Sequence, residues 1–188
     1  MTQKSTMMTT ENTLDSTSEQ PPKKVRKTRR PRKKASPAAT KKLPSNPFMN
    51  EILELVSEQK TDDGKIAILK EYECDIIKSL FIWNFDDSII SLIPEGNVPY
   101  KPNESPLGTD HSSLRREQRS LYNFVKGGND QLSTIRRETI FIQMLEGLHP
   151  KEADIVIAVK DKNLEDMYDV PFEVVEEAYP DIEWGGRS

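Results

Sequence analysis

Residues 129–160, NDQLSTIRRETIFIQMLEGLHPKEADIVIAVK, decide the fold of this chain. In the first half, Leu132, Ile135, Ile140, Phe141, Met144, Leu145 and Leu148 recur at helical spacing, with Asp130 placed to cap the start and Gly147 to stop the end. His149 and Pro150 then open a second helix, because proline suits a first helical position, where no N–H is needed. Ala153, Ile155, Val156, Ile157 and Val159 make that helix apolar nearly all round. A helix of this kind belongs at the centre of a helical core.

Working outward, the same punctuation recurs. Asn46 as N-cap and Pro47 at the first helical position start a helix with Met49, Ile52, Leu53 and Val56 on one face, running to Gln59. Thr61 or Asp62 caps a second, with Ile66, Leu69 and Tyr72 as its stripe, and Asp75 caps a third through Ile76, Ile77, Leu80 and Phe81 to Trp83. Residues 88–93, SIISLI, suit an extended segment or a helical turn, since no second clear strand exists to pair with them. Prolines 94, 99, 102 and 106 exclude regular structure from the loop at 94–111, which Tyr100 and Leu107 could anchor to the core. Ser112 or Ser113 caps a helix carrying Leu114, Leu121, Phe124 and Val125 to Lys126, ahead of Gly127 and Gly128. Asp169 and Pro171 start a last helix through Val174, Val175 and Ala178, which Pro180 stops. The expected fold is all-α: a single compact domain of six or seven short helices with a long Pro-rich loop, over residues 47–183, and a flexible C-terminus at 184–188.

Residues 1–46 contain no Ile, Phe, Tyr or Trp and cannot bury enough apolar surface to offset the entropy of ordering. They are expected to be a disordered arm. Within it, residues 23–42, KKVRKTRRPRKKASPAATKK, hold eleven basic side chains and no acid: Lys23, Lys24, Arg26, Lys27, Arg29, Arg30, Arg32, Lys33, Lys34, Lys41 and Lys42. Up to Asn46 there are twelve basic and three acidic residues, whereas from Pro47 onward fifteen basic residues face twenty-eight acidic ones. A basic arm on an acidic body predicts a polyanionic partner: nucleic-acid phosphate, anionic lipid or an acidic protein face.

Other classes are poorly supported. One cysteine, Cys74, excludes an internal disulfide and is expected as a buried free thiol. No apolar run approaches a membrane span, and residues 1–20 lack a secretory or mitochondrial leader pattern. With two histidines, His111 and His149, and no HExxH, CxxC, P-loop or GxSxG pattern, neither a metal nor a cofactor is expected. Both histidines suit helix starts. Asp86 and Asp87 are the best carboxylate pair for Mg²⁺ or for an enzyme, against the simpler reading of caps and turns.

A second basic patch is expected on the body at Arg115, Arg116, Arg119, Lys126, Arg136 and Arg137. It contrasts with residues 146–183, where twelve acids face three lysines. Either these cations form a phosphate-contact surface continuous with the arm, or they pair internally, Arg137 with the C-terminal acids and Arg115 with Glu117 or Glu138. Tyr122 and Tyr100 are the stacking candidates for single-stranded nucleic acid, unless both belong to the core.

The segments FDDSIISLIPEGNVPYKPNESPLG (85–108), LYNFVKGGND (121–130) and IRRETIFIQMLEGLHPKEADIVIAVKDKN (135–163) resemble a family of T4-like bacteriophages that infect marine cyanobacteria. The likeness spans residues 48–180 and leaves out the basic arm. It implies a phage context and a helical domain, with no assigned activity. Residues and resemblance together lead to a non-enzymatic phage accessory protein. Its arm binds nucleic acid, DNA above RNA, without sequence specificity, while its body meets a protein partner. A virion or assembly module, whose arm docks on packaged DNA or an acidic protein, is the second reading. No membrane contact is expected, and the residues carry no signal of oligomeric state. The expected location is the cytoplasm of the infected bacterium or the virion, and the nucleus were the source eukaryotic, because the arm would then read as a localisation signal.

Overall fold

The structure, a computed structural model, describes residues 42–106, 109 and 112–186, all within the compact unit Thr40–Ser188. The arm expected to be disordered lies outside the described residues up to Lys41, as do Leu107 and His111; Lys42 is described and exposed.

Eight α-helices and one 3₁₀ helix are found among the described residues, with no strand. They are α1 (Met49–Ser57), α2 (Asp62–Glu71), α3 (Asp75–Phe85), α4 (Leu114–Glu117), which runs into the 3₁₀ helix (Gln118–Phe124), α5 (Thr134–Gly147), α6 (Pro150–Lys160), α7 (Leu164–Tyr168) and α8 (Phe172–Ala178). The all-α expectation holds. The larger count comes from α7, which carries only Leu164 and Tyr168 as buried anchors and so shows no periodicity, and from the break of the 114–126 helix into two short pieces.

The apolar α6 is central as its pattern requires, packing against α1, α3, α5 and α7. Ala153, Ile155, Val156 and Val159 are fully buried on it, and each large apolar side chain buried this way stabilises the fold by about 1.5–3 kcal/mol. His149 caps its start as expected, Nδ1 accepting from the Lys151 N–H at 3.3 Å.

The same helix carries a fully buried carboxylate, Glu152. One of its oxygens accepts from the Met49 N–H at 2.9 Å and the other from the Leu114 N–H at 3.0 Å. These are the first residues of α1 and α4, where backbone donors have no partner inside the helix. A single side chain therefore caps two helices distant in sequence. Burial pushes its carboxyl above the ordinary glutamate value of 4.5, while the two N–H groups and the charge of Arg115 oppose that rise.

This placement explains two departures from the expected caps. The first helix starts at Met49 rather than at Pro47, with Phe48 in the cap position and Glu51 reaching back to accept its N–H at 2.9 Å. Ser113 caps α4 without a side-chain bond, since Glu152 takes that role. Elsewhere Thr61 caps α2 as expected. Cys74, half-buried rather than buried, stands where Asp75 was expected at the start of α3. Ser133 replaces Asp130 as the cap of α5, and the Asp130 carboxylate accepts from the Gly127 N–H instead. Ile135, expected on the apolar stripe, is 79% exposed. Asp169 caps the end of α7 in the left-handed conformation (φ 51°), its carboxylate paired with Lys65 at 2.6 Å, and Pro171 rather than Asp169 precedes α8.

After a turn at 87–88, residues 89–92 form no helix and find a partner that the sequence hides, the end of the 3₁₀ helix. Leu92 N–H donates to the Phe124 carbonyl at 2.7 Å and Lys126 N–H to the Ile90 carbonyl at 2.9 Å, around an isolated antiparallel bridge between Ser91 and Val125. The Pro-rich loop is pinned at its start by the buried Lys160, which donates to the carbonyls of Pro94 (2.9 Å) and Gly96 (3.1 Å) and pairs with Asp161. Beyond residue 183 the chain still packs: the Trp184 ring lies edge-on to Phe172 with centroids 5.0 Å apart, and the Gly185 N–H donates to Asp86 at 3.0 Å. The expected flexible end at 184 therefore begins too early.

Glu152→Ala leaves two buried N–H groups unpaired, and we expect it to lower stability by about 2–5 kcal/mol in urea unfolding. Because the native pKa stands above the unfolded one, the protonated form is the one the fold favours. The stability of the parent protein relative to Glu152→Gln should be greatest below pH 4.5 and decline as pH rises through the raised native value.

Candidate functional site

The six basic positions expected on the body separate into two kinds. Arg137 is buried, and its guanidinium donates through Nε to the Asn123 carbonyl at 2.6 Å and through Nη2 to the Asn129 carbonyl at 2.7 Å. It ties the turn at 123–129 to α5 and is withdrawn from any surface patch. Its partners are carbonyls, not the C-terminal acids. Arg115 is half-buried, close enough to Glu152 to influence its ionisation, and its Nε is buried without a hydrogen-bond partner among the described residues. It pairs with neither Glu117 nor Glu138; the Glu117 carboxylate accepts instead from Ser112 Oγ at 2.7 Å and Ser120 Oγ at 3.2 Å.

Arg116, Arg119, Lys126 and Arg136 are exposed and form no ion pair with a described carboxylate. Most lysines elsewhere on the body are engaged: Lys65 with Asp169, Lys78 with Glu73 and Asp181, Lys151 with Glu54, Lys160 with Asp161 and Lys162 with Asp87. Lys60, Lys70 and Lys101 stand apart from one another along the chain. The uncommitted positive charge of the described body is thus densest between residues 116 and 136.

The 3₁₀ helix sets the geometry there. With three residues per turn, positions i and i+3 eclipse one another, so Gln118–Leu121–Phe124 form one ridge and Arg119–Tyr122 the next. Leu121 and Phe124 go into the core, Phe124 meeting Phe141 edge-on at 4.9 Å, and this leaves Arg119 and Tyr122 together at the surface. An α-helix, as expected here, would pair Arg115 with Arg119 instead. Between this ridge and α3 runs a groove of about 560 Å³. Its apolar lining comes from Ile82, Trp83, Ile89, Leu121 and Val125, and its polar lining from Asp75, Ser79, Gln118 and Arg119, with Tyr122 at its side. The Tyr122 side of the groove is half open to solvent, with the residue 50% exposed. Trp83 is buried, and its indole N–H has no acceptor among the described residues. Tyr100, the other stacking candidate, packs partly buried against the core, where desolvation raises its pKa. Trp83, Ser79 and Gln118 were not singled out from the sequence; the three-residue step from Arg116 to Arg119 to Tyr122 is the signal that would have pointed to them.

The carboxylate candidates disperse. Asp86 is buried, one oxygen accepting from the Ser88 N–H (2.9 Å) and Oγ (2.7 Å), the other from Gly185. Asp87 points to solvent and meets Lys162 at 3.3 Å. No group of three or more metal-binding side chains occurs among the described residues, and no described helix is long and apolar enough to cross a membrane. Acidic residues gather on another side, where Asp154, Asp161 and Asp166 line a shallow hollow of about 420 Å³ with Met167.

The profile of a family of unknown function, DUF6433, matches residues 52–166. No curated protein and no solved structure matches the chain.

Arg137 and the exposed arginines should separate cleanly by mutation. We expect Arg137→Ala to cost about 2–3 kcal/mol of unfolding free energy, whereas Arg116→Ala, Arg119→Ala and Arg136→Ala stay within about 0.5 kcal/mol of the parent protein. Chemical denaturation of the four variants measures this directly.

Proposed function

We propose a function for a chain that belongs to the family of unknown function DUF6433: it is a non-enzymatic accessory protein that binds nucleic acid without sequence specificity. The basic arm supplies most of the phosphate contacts, and the exposed cations of the body extend them. DNA is the polyanion we assign, in the cytoplasm of a phage-infected bacterium, with the acid-rich remainder of the body facing a protein partner.

The observation that carries this reading is the set of exposed cations at Arg116, Arg119, Lys126 and Arg136, which pair with no described carboxylate, on a body most of whose other lysines are paired with acids. A solvated arginine held by no carboxylate is free to release counterions from a phosphate backbone. The eleven basic residues of 23–42, with no acid among them, repeat the same chemistry at higher density. The dispersal of Asp86 and Asp87 also weighs against a two-carboxylate reaction, since one is consumed in holding the backbone and the other faces solvent.

Anisotropy titrations on generic duplex DNA test this. With about six phosphates neutralised, log affinity falls against log salt with a slope near −5. Deleting residues 21–42 should remove most of the affinity. Replacing Arg116, Lys126 and Arg136 by neutral residues should make the slope shallower by about 0.9 for each phosphate that is no longer neutralised. Equal affinity of full-length and truncated chains at low salt overturns the assignment.

A further inference from the structure

We propose that the groove between α3 and the 3₁₀ helix receives an unstacked base of a single-stranded nucleic acid, with Tyr122 as its stacking face and Arg119 on the adjoining phosphate. The inference rests on the nucleic-acid reading above and narrows it to a strand whose bases are free.

The 3₁₀ geometry brings a cation and an aromatic ring to one edge, Arg119 and Tyr122, three residues apart in a helix that repeats every three. Tyr122 is half exposed, and its ring meets no other aromatic ring among the described residues. An aromatic face left open beside a guanidinium that pairs with no described carboxylate is the arrangement that stacks a base while its backbone is held by charge. A base has two apolar faces and a polar edge, and the groove offers the matching surfaces. Trp83 and Leu121 supply apolar wall, while Ser79 and Gln118 supply polar groups. The Ser79 hydroxyl donates to the Asp75 carbonyl at 2.8 Å, which leaves its lone pairs to accept from a base N–H. The Asp75 carboxylate on the same rim accepts from base N–H groups and repels a phosphate, so it favours the base edge on its side and the backbone on the Arg119 side. Duplex DNA cannot use such a groove, because its base faces are covered by their neighbours.

The test compares full-length protein, Tyr122→Ala and Tyr122→Phe on labelled oligo(dT) and on a duplex of equal phosphate count, at one low salt concentration. Circular dichroism checks that the exposed substitution leaves the fold intact. Loss of one stacked base should weaken oligo(dT) binding about tenfold in Tyr122→Ala, leave duplex binding unchanged, and be rescued in Tyr122→Phe, which keeps the ring. If Tyr122→Ala matches the parent on both ligands, as it would were the groove a seat for a protein segment, the base assignment is overturned and the nucleic-acid reading stands. An equal weakening on both ligands likewise overturns it. Failure of the parent protein to bind either ligand overturns both readings together.

Discussion

The body is organised around one buried carboxylate. Glu152 sits at the start of the central helix with no exposure to solvent and closes the N-termini of α1 and α4 with its two oxygens. α1 packs against α6 and the first residue of α4, Leu114, is fully buried, but apolar contact is non-directional and sets no register. Two hydrogen bonds from fixed backbone donors do set it. The 3₁₀ helix that carries Arg119 and Tyr122 continues directly from α4, so the position of the candidate groove depends on this anchor.

The same device recurs at smaller scale. Asn84 accepts from the Leu164 N–H at 3.1 Å at the start of α7, Asp86 holds residue 88 and residue 185 together, and Lys160 gathers two carbonyls of the Pro-rich loop. Tyr179 donates to the Leu69 carbonyl at 2.8 Å, across the contact between α2 and α8. Short helices leave many backbone groups unpaired for their length, and a fold built of them needs buried polar side chains as clamps. These clamps use up charges that sequence alone would offer to a ligand, Arg137 above all.

What was legible in the sequence follows from this division. Periodicity identified α5 and α6, because Phe141, Met144 and Leu145 or Ile155, Val156 and Val159 recur on a helical step and are buried. Local caps such as Thr61 and His149 were legible because their bonds span two or three residues. The start of α1 at Met49 was not, since the carboxylate that accepts from the Met49 N–H lies 103 residues away. The 3₁₀ helix was hidden for a related reason: residues 118–124 satisfy an α-helical pattern as well, and the bridge from Ser91 to Val125 lies outside any local signal. For the site, charge density drew attention to residues 115–137, but which arginines are exposed without a described carboxylate partner depended on the fold and on long-range partners.

The central claim is that the body presents its polyanion surface at the 3₁₀ ridge and not elsewhere. At 21.5 kDa the chain suits amide chemical-shift mapping by NMR, and titration with a short oligonucleotide reads the surface residue by residue. The account requires shifts clustered at residues 116–126 and 136, with the acidic hollow at Asp154, Asp161 and Asp166 silent. Shifts concentrated on that acidic side, or none on the 3₁₀ ridge while the arm alone responds, would contradict it.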